Sequence, residues 1–322
     1  MKVVLGAALA LTLGAAAPPD PSLFPGADPA ALVSGGRVWL YPTGNGQELR
    51  AWSSRDMRTW RQSAPLLALK SVRWIEPNAN RGLWAPHMAA ANGRFYLYYS
   101  VGPQEPLPSR IGVAVCTTPA GPCRDSGQPL IDGGDSEDVA ARPIACTGAI
   151  APTGSGRFKF EALDPMVFVD PASGKRLLYA GGSNGATMRV FELAPDMVSI
   201  RREVAVDQPP CFTEAPWLHE RGGTYYLSYS AGHWDRTDYS IRYATAPSPT
   251  GPWKDHGVLL KTAGGVIGPG HHSIFRAPGG RWTIAYHRWE GTTGEGPFRT
   301  GARHVSVAPI RYAPDGTMAV RH

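Results

Sequence analysis

Residues 214–230 read EAPWLHERGGTYYLSYS: a short apolar run, a Gly222–Gly223 pair, then a run dense in tyrosine. This is the layout of a β-hairpin, in which paired glycines supply the positive φ of a tight turn between two strands. The same layout returns as DPAALVSGGRVWLYPT from Asp28, WAPHMAAANGRFYLYYS from Trp84, DPMVFVDPASGKRLLYAGG from Asp164 and HHSIFRAPGGRWTIAYH from His271. The turn glycines are Gly36, Gly93, Gly174, Gly223 and Gly280, and successive starts lie 50 to 80 residues apart. Further strand-like runs, LRAWSS, IGVAVC, MRVFEL and YSIRYATA, follow the first four hairpins. Helix signals are nearly absent. Four-stranded units repeated at this spacing predict an all-β fold, a five-bladed β-propeller.

In a propeller the first strand of each blade lines the central axis, so the five start residues are expected to meet at one end of it. Three of them, Asp28, Asp164 and Glu214, are carboxylic acids. A single Asp-Pro pair is more often a turn former than a functional group. Three acids at the blade starts point instead to a shared site. Cleaving a glycosidic bond needs such a set: one acid to protonate the departing oxygen, and a carboxylate to activate water or to attack the sugar.

Residues 1–17, MKVVLGAALALTLGAAA, have the basic start, apolar centre and small-residue end of a secretory signal peptide. A single domain over residues 18–322, secreted or periplasmic and monomeric, is expected. The net charge of +6 comes from dispersed Lys and Arg rather than a stripe, which argues against a nucleic-acid partner. No later apolar run is long enough to span a bilayer. Four cysteines allow three disulfide connectivities. Cys116 and Cys123, which bracket a Pro-Ala-Gly-Pro turn, are the favoured pair, leaving Cys146 and Cys211. The irregular stretch 131–158 reads as a rim loop. The strand around VSVAPIRYAP is expected either to complete the fifth blade or to pair within the first.

The set ADPA at Asp28, LWAP at Trp84, LDPMVF at Asp164, TEAPWLHERGGTYYLSYS around Glu214 and GPGHHSIF at His271 resembles glycoside hydrolase family 43, from about residue 24 to the C-terminus. The resemblance implies a five-bladed propeller and an inverting mechanism on arabinose- or xylose-containing polysaccharides and oligosaccharides. By motif position Asp28 resembles the general base, Glu214 the general acid, and Asp164 the residue that raises the acid's pKa and holds its orientation. Small neighbours, Gly26, Ala27 and Ala30, suggest that Asp28 stays a solvated carboxylate. The resemblance also implies that no cofactor is needed for the chemistry, with a calcium ion near His271 as the one metal to look for. Arg303 resembles a substrate-contacting arginine, and Trp84 and Trp217 offer flat faces to a sugar. The chain departs from the family pattern at His87, Ala215 and His272.

Two other readings stay open at this point. One is a retaining enzyme of the related five-bladed fructan-hydrolase group, whose flanking Asn, Arg and Cys are replaced here by Ala27, Leu163 and Ala215. The other is a propeller that binds sugar without cutting it.

Overall fold

In a computed structural model, residues 21–76, 80–103, 108–133, 160–183 and 187–320 are described. The expected signal peptide lies outside them, as does Cys146 and nearly all of the expected rim loop. The first residues of that stretch, Ile131–Asp132, form a short strand against Arg110 and Ile111.

Among the described residues five antiparallel sheets of four or five strands follow one another as blades, and a two-stranded pair, Glu48–Leu49 with Leu67–Ala68, lies beside the first. Blade I consists of strands Ala27–Ser34, Arg37–Thr43, Trp52–Ser54 and Arg61–Gln62. Blade II holds Gly82–Ala91, Arg94–Gly102, Arg110–Cys116 and Cys123–Asp125. Blade III holds Met166–Val169, Arg176–Ala180, Arg189–Leu193 and Ile200–Val204. Blade IV holds Glu214–Arg221, Thr224–Ala231, Ser240–Ala246 and Lys254–Leu260. Blade V is built from both ends of the described chain. Ile267–Arg276, Trp282–Glu290 and Ala302–Tyr312 are joined by Phe24–Pro25, which pairs with Val305 and His304, and Met318–Val320 extends the same edge. The VSVAPIRYAP strand therefore completes the fifth blade, and the N-terminal strand closes the ring on it. The only helical element among the described residues is a single 3-10 turn at Leu69–Ser71.

The hairpin glycines do what their spacing predicts. Gly35 and Gly36, Asn92 and Gly93, and Gly222 and Gly223 all have positive φ, as tight hairpin turns require. Apolar faces of adjacent blades pack into shared clusters, such as Tyr98, Val113, Leu178 and Phe191 between blades II and III. The tyrosines of the second strands explain themselves here. Buried Tyr41, Tyr98, Tyr179 and Tyr226 donate across to backbone carbonyls of the next blade, at Pro119, Met197, Pro249 and Gly316. Each ring fills the seam between blades while its hydroxyl keeps a partner, so burial leaves no polar group stranded. The Cys116–Cys123 disulfide forms as expected, and Cys211 is also disulfide-bonded.

Candidate active site

Each innermost strand carries, in its first half or just ahead of it, a residue in the left-handed backbone region: Asp28 (φ 52°), Ala85 (43°), Asp164 (55°), Ala215 (57°) and His271 (36°). Non-glycine residues there carry a cost of about 1–3 kcal/mol each and persist only when their surroundings hold them. A proline follows the first four and His272 the fifth. In four of the blades the pairing register shifts at this point, the signature of a β-bulge that re-aims a side chain. This equivalence corrects the sequence alignment of the repeats by one residue: Ala85 and Ala215, not Trp84 and Glu214, match Asp28, Asp164 and His271. The acids thus share a pocket without sharing one repeat position.

The five left-handed residues are pinned by their own N–H groups. Ala85 donates to Thr43 Oγ1 (2.7 Å), Asp164 to Ser100 Oγ (2.9 Å), His271 to Ser230 Oγ (2.9 Å) and Asp28 to His287 Nδ1 (3.2 Å). In each case the acceptor belongs to the second strand of the preceding blade. Blade III has Gly181 at that place, opposite Leu163, whose carbonyl accepts the Gly181 N–H. With no side chain there, Ala215 donates to Asp164 Oδ2 instead, at 3.1 Å.

Asp28 is 7% exposed, so the solvated carboxylate inferred from its small neighbours gives way to a buried one. Its Oδ1 accepts from Arg303 Nη1 at 3.3 Å and lies 3.2 Å from His271 Nδ1. Burial alone pushes this carboxyl up, but His271, Arg303 and His287 outweigh it and hold it well below the usual range. Burial also pulls both imidazoles down, so near neutral pH Arg303 is the standing positive charge beside Asp28. Asp164 goes the other way: burial first, then the charges of Glu214 and Asp28, push it well above the ordinary range. Two neighbouring carboxyls with opposed shifts are the arrangement that lets one fold supply acid and base roles together.

Glu214 is gripped at both oxygens. Tyr239 donates to Oε1 at 2.6 Å and Ser183 to Oε2 at 2.7 Å. Its backbone rests against Gly182 (φ 157°), where an added Cβ would come within 2.4 Å of Glu214 Cβ and 2.8 Å of its Cα. No other residue fits there without displacing the acid.

Asp28, Asp164 and Glu214 line one cleft of about 390 Å³ with Trp84, His271 and Arg303, a size suited to a sugar. Trp84 lies over Gly102, where a Cβ would meet its ring at 1.9 Å. Trp217 is elsewhere: past the bulge it turns into the core, 7% exposed, with its indole N–H donated to Ile274 O at 2.9 Å. The expectation of a sugar platform at Trp217 is corrected accordingly. His87 is also interior, its ring 5.4 Å from that of Trp217 and pulled down to about 4 by burial, hence neutral. Among the described residues no group of three or more His, Cys, Asp or Glu is arranged to hold a metal, so calcium at His271 finds no support. His271 Nδ1 is instead shared between Asp28 and, at 3.6 Å, Asp164 Oδ2.

Several site residues escaped the sequence reading. Trp234, 41% exposed at the cleft, carries Arg303 over its ring at 5.0 Å and is backed by Trp289. Ser183, Tyr239 and His287 touch the acids directly. Their signal was positional: Ser183 and Tyr239 sit just outside the ends of strands Arg176–Ala180 and Ser240–Ala246, and His287 sits in the second strand of its blade opposite the residue before His271.

The chain is 33% identical over 287 residues to the β-D-galactofuranosidase xynD of Aspergillus niger, covering 83% of this chain and 75% of that one. It is 28% identical to xylosidase/arabinosidase 43A of Humicola insolens, over 90% of this chain and 94% of its relative. The solved α-L-arabinofuranosidase of Clostridium thermocellum superposes with a TM-score of 0.69 at 28% identity, covering 91% of this chain and 93% of that structure. The sequence profile described as Glycosyl hydrolases family 43 matches residues 24–318, and with the propeller and its acids in place the chain belongs to that family of glycosidases.

Proposed function

We propose that this glycoside hydrolase is an exported, inverting enzyme that releases α-L-arabinofuranosyl or β-D-xylosyl units from plant-type polysaccharides or oligosaccharides. Asp28 takes a proton from water as that water attacks the anomeric carbon. Glu214 gives its proton to the departing oxygen as the C–O bond breaks. Asp164 orients the acid through the Ala215 backbone N–H. The observation that carries this reading is the opposed environment of the carboxyls in one cleft: Asp28 is kept ionised beside Arg303, and Asp164 stands against Glu214. Names of relatives support the pentose, and the Aspergillus niger relative adds a furanose hexose to the panel worth testing.

The test is hydrolysis of aryl α-L-arabinofuranoside, β-D-xyloside and β-D-galactofuranoside, with the anomer of the first-formed sugar read by NMR. Inverted product from an arabinofuranoside or xyloside is expected. Asp28→Asn should abolish turnover of every substrate. Glu214→Gln should lose on the order of 10²–10⁴-fold on poor leaving groups and little on 2,4-dinitrophenyl glycosides. Retained configuration would overturn the inverting assignment. Equal loss in Glu214→Gln on all leaving groups would overturn the acid.

A further inference from the structure

Tyr239 does not line the cleft, yet its hydroxyl reaches the acid. The side chain is fully buried, between blades IV and V. Its ring occupies the space over Gly270, where an added Cβ would meet it at 1.9 Å. On the same side it stacks on His287, with ring centres 5.7 Å apart and planes 12° from parallel. His287 in turn accepts the Asp28 N–H. One rigid phenol is thus wedged between the supports of base and acid.

The hydrogen bonds around it run one way. The backbone N–H of His271 can only donate, and Ser230 Oγ accepts it at 2.9 Å. Ser230 acts on the Tyr239 hydroxyl from the donor side, tempering the rise in the phenol's pKa, which fits a Ser230 Oγ whose accepting side is taken by the His271 N–H. That leaves the Tyr239 proton for Glu214 Oε1, 2.6 Å away. Burial and the Glu214 charge push the phenol well above its usual range, so it stays a donor throughout. The other acid oxygen, Oε2, faces Ser183, which does line the cleft.

Resting on the reading of Glu214 as the general acid, we propose that Tyr239 is a positioning residue that occupies Oε1 as a fixed donor and so keeps the acid's transferable proton on Oε2, the oxygen on the cleft side. In the step itself the Oε2 proton passes to the glycosidic oxygen, the bond from that oxygen to the anomeric carbon breaks, and Glu214 is left a carboxylate. Tyr239 keeps its own proton. Without the phenol, the proton divides between the two oxygens and the carboxyl is free to turn. Only the protonation of the leaving group suffers.

Tyr239→Phe removes one oxygen and keeps the ring that fills the seam. Expected is a fall in kcat of roughly 10- to 100-fold on a methyl or unsubstituted oligosaccharide substrate, with KM within about 2-fold. On the 2,4-dinitrophenyl glycoside, which departs without protonation, the loss should stay within about 3-fold. Glu214→Gln is run beside it and should show the same dependence on leaving group, more steeply. Equal losses for Tyr239→Phe on both substrates, or none on either, would overturn the proposal while leaving the acid assignment intact. If Glu214→Gln shows no dependence on leaving group, the acid reading falls and this inference with it. Gly270→Ala, which pushes the ring out of its slot, should reproduce the Tyr239→Phe pattern, and failure to do so at an unchanged melting temperature would count against the wedge.

Discussion

Four blade junctions hold their left-handed residue with a side chain from the preceding blade's second strand, Thr43, Ser100, Ser230 or His287. The junction from blade III to blade IV uses Asp164 instead, because Gly181 offers nothing. The contrast teaches that Asp164 has two jobs. It shares a buried, charge-coupled setting with Glu214, and it is the pin for Ala215, the residue immediately after the acid. A substitution at Asp164 therefore moves the acid as well as changing the field around it.

The sharpest way to separate those jobs is to compare Asp164→Ala with Asp164→Asn. An asparagine carbonyl still accepts the Ala215 N–H, whereas alanine orphans a buried donor at a cost of about 1–3 kcal/mol. Thermal unfolding should place Asp164→Ala below Asp164→Asn by that margin. The alanine variant should also lose on the order of 10²-fold in kcat/KM through misplacement of the acid, which steady-state assays at one pH will show. Equal melting temperatures would break the comparison, since the pin would then be idle.

Ser100→Ala tests an ordinary junction. It orphans the Asp164 N–H in a fully buried setting, and a loss of about 1–3 kcal/mol is expected by denaturant unfolding. Activity should fall less than in Asp164→Ala, because the carboxylate keeps its hold on Ala215. A stability unchanged from wild type would mean that the left-handed residues hold themselves.

The smallest effect is a shift rather than a loss. At the junction from blade V to blade I, Arg303 supports Asp28 as a charge, over and above the His287 pin. Its partner's pKa is depressed, so the base stays ionised until the solution is strongly acid. Removing the guanidinium in Arg303→Gln raises that pKa. The acid limb of kcat/KM should then move to higher pH, since the base works only when deprotonated. A limb that stays put, or moves down, would show that the imidazoles alone keep Asp28 charged.

The hairpins, the blade count, the Cys116–Cys123 bridge and the three acids were legible because each depends on local signals: turn glycines, alternating strands, a short loop, an acid ahead of a strand. What escaped depends on contacts between segments far apart in sequence. Trp217 looked like a platform because it lies three residues from the acid, but the bulge after Glu214 turns it inward. Tyr239 and His287 looked like ordinary strand residues, and only the closure of the ring brings one to Glu214 and the other to Asp28. The one-residue offset of Trp84 and Glu214 was hidden for the same reason: the backbone angle, not the residue type, marks the equivalent position.

Blade V has a seam that the other blades lack, since Phe24–Pro25 is stitched to a strand almost the whole chain away, and the Gly26 N–H is held by the carbonyl of Arg303 itself. The guanidinium that keeps Asp28 charged therefore belongs to the same fastening that shuts the ring. On warming, fraying of that two-residue strand would silence the enzyme while the remaining four blades still stood, so loss of turnover should come before loss of tertiary structure.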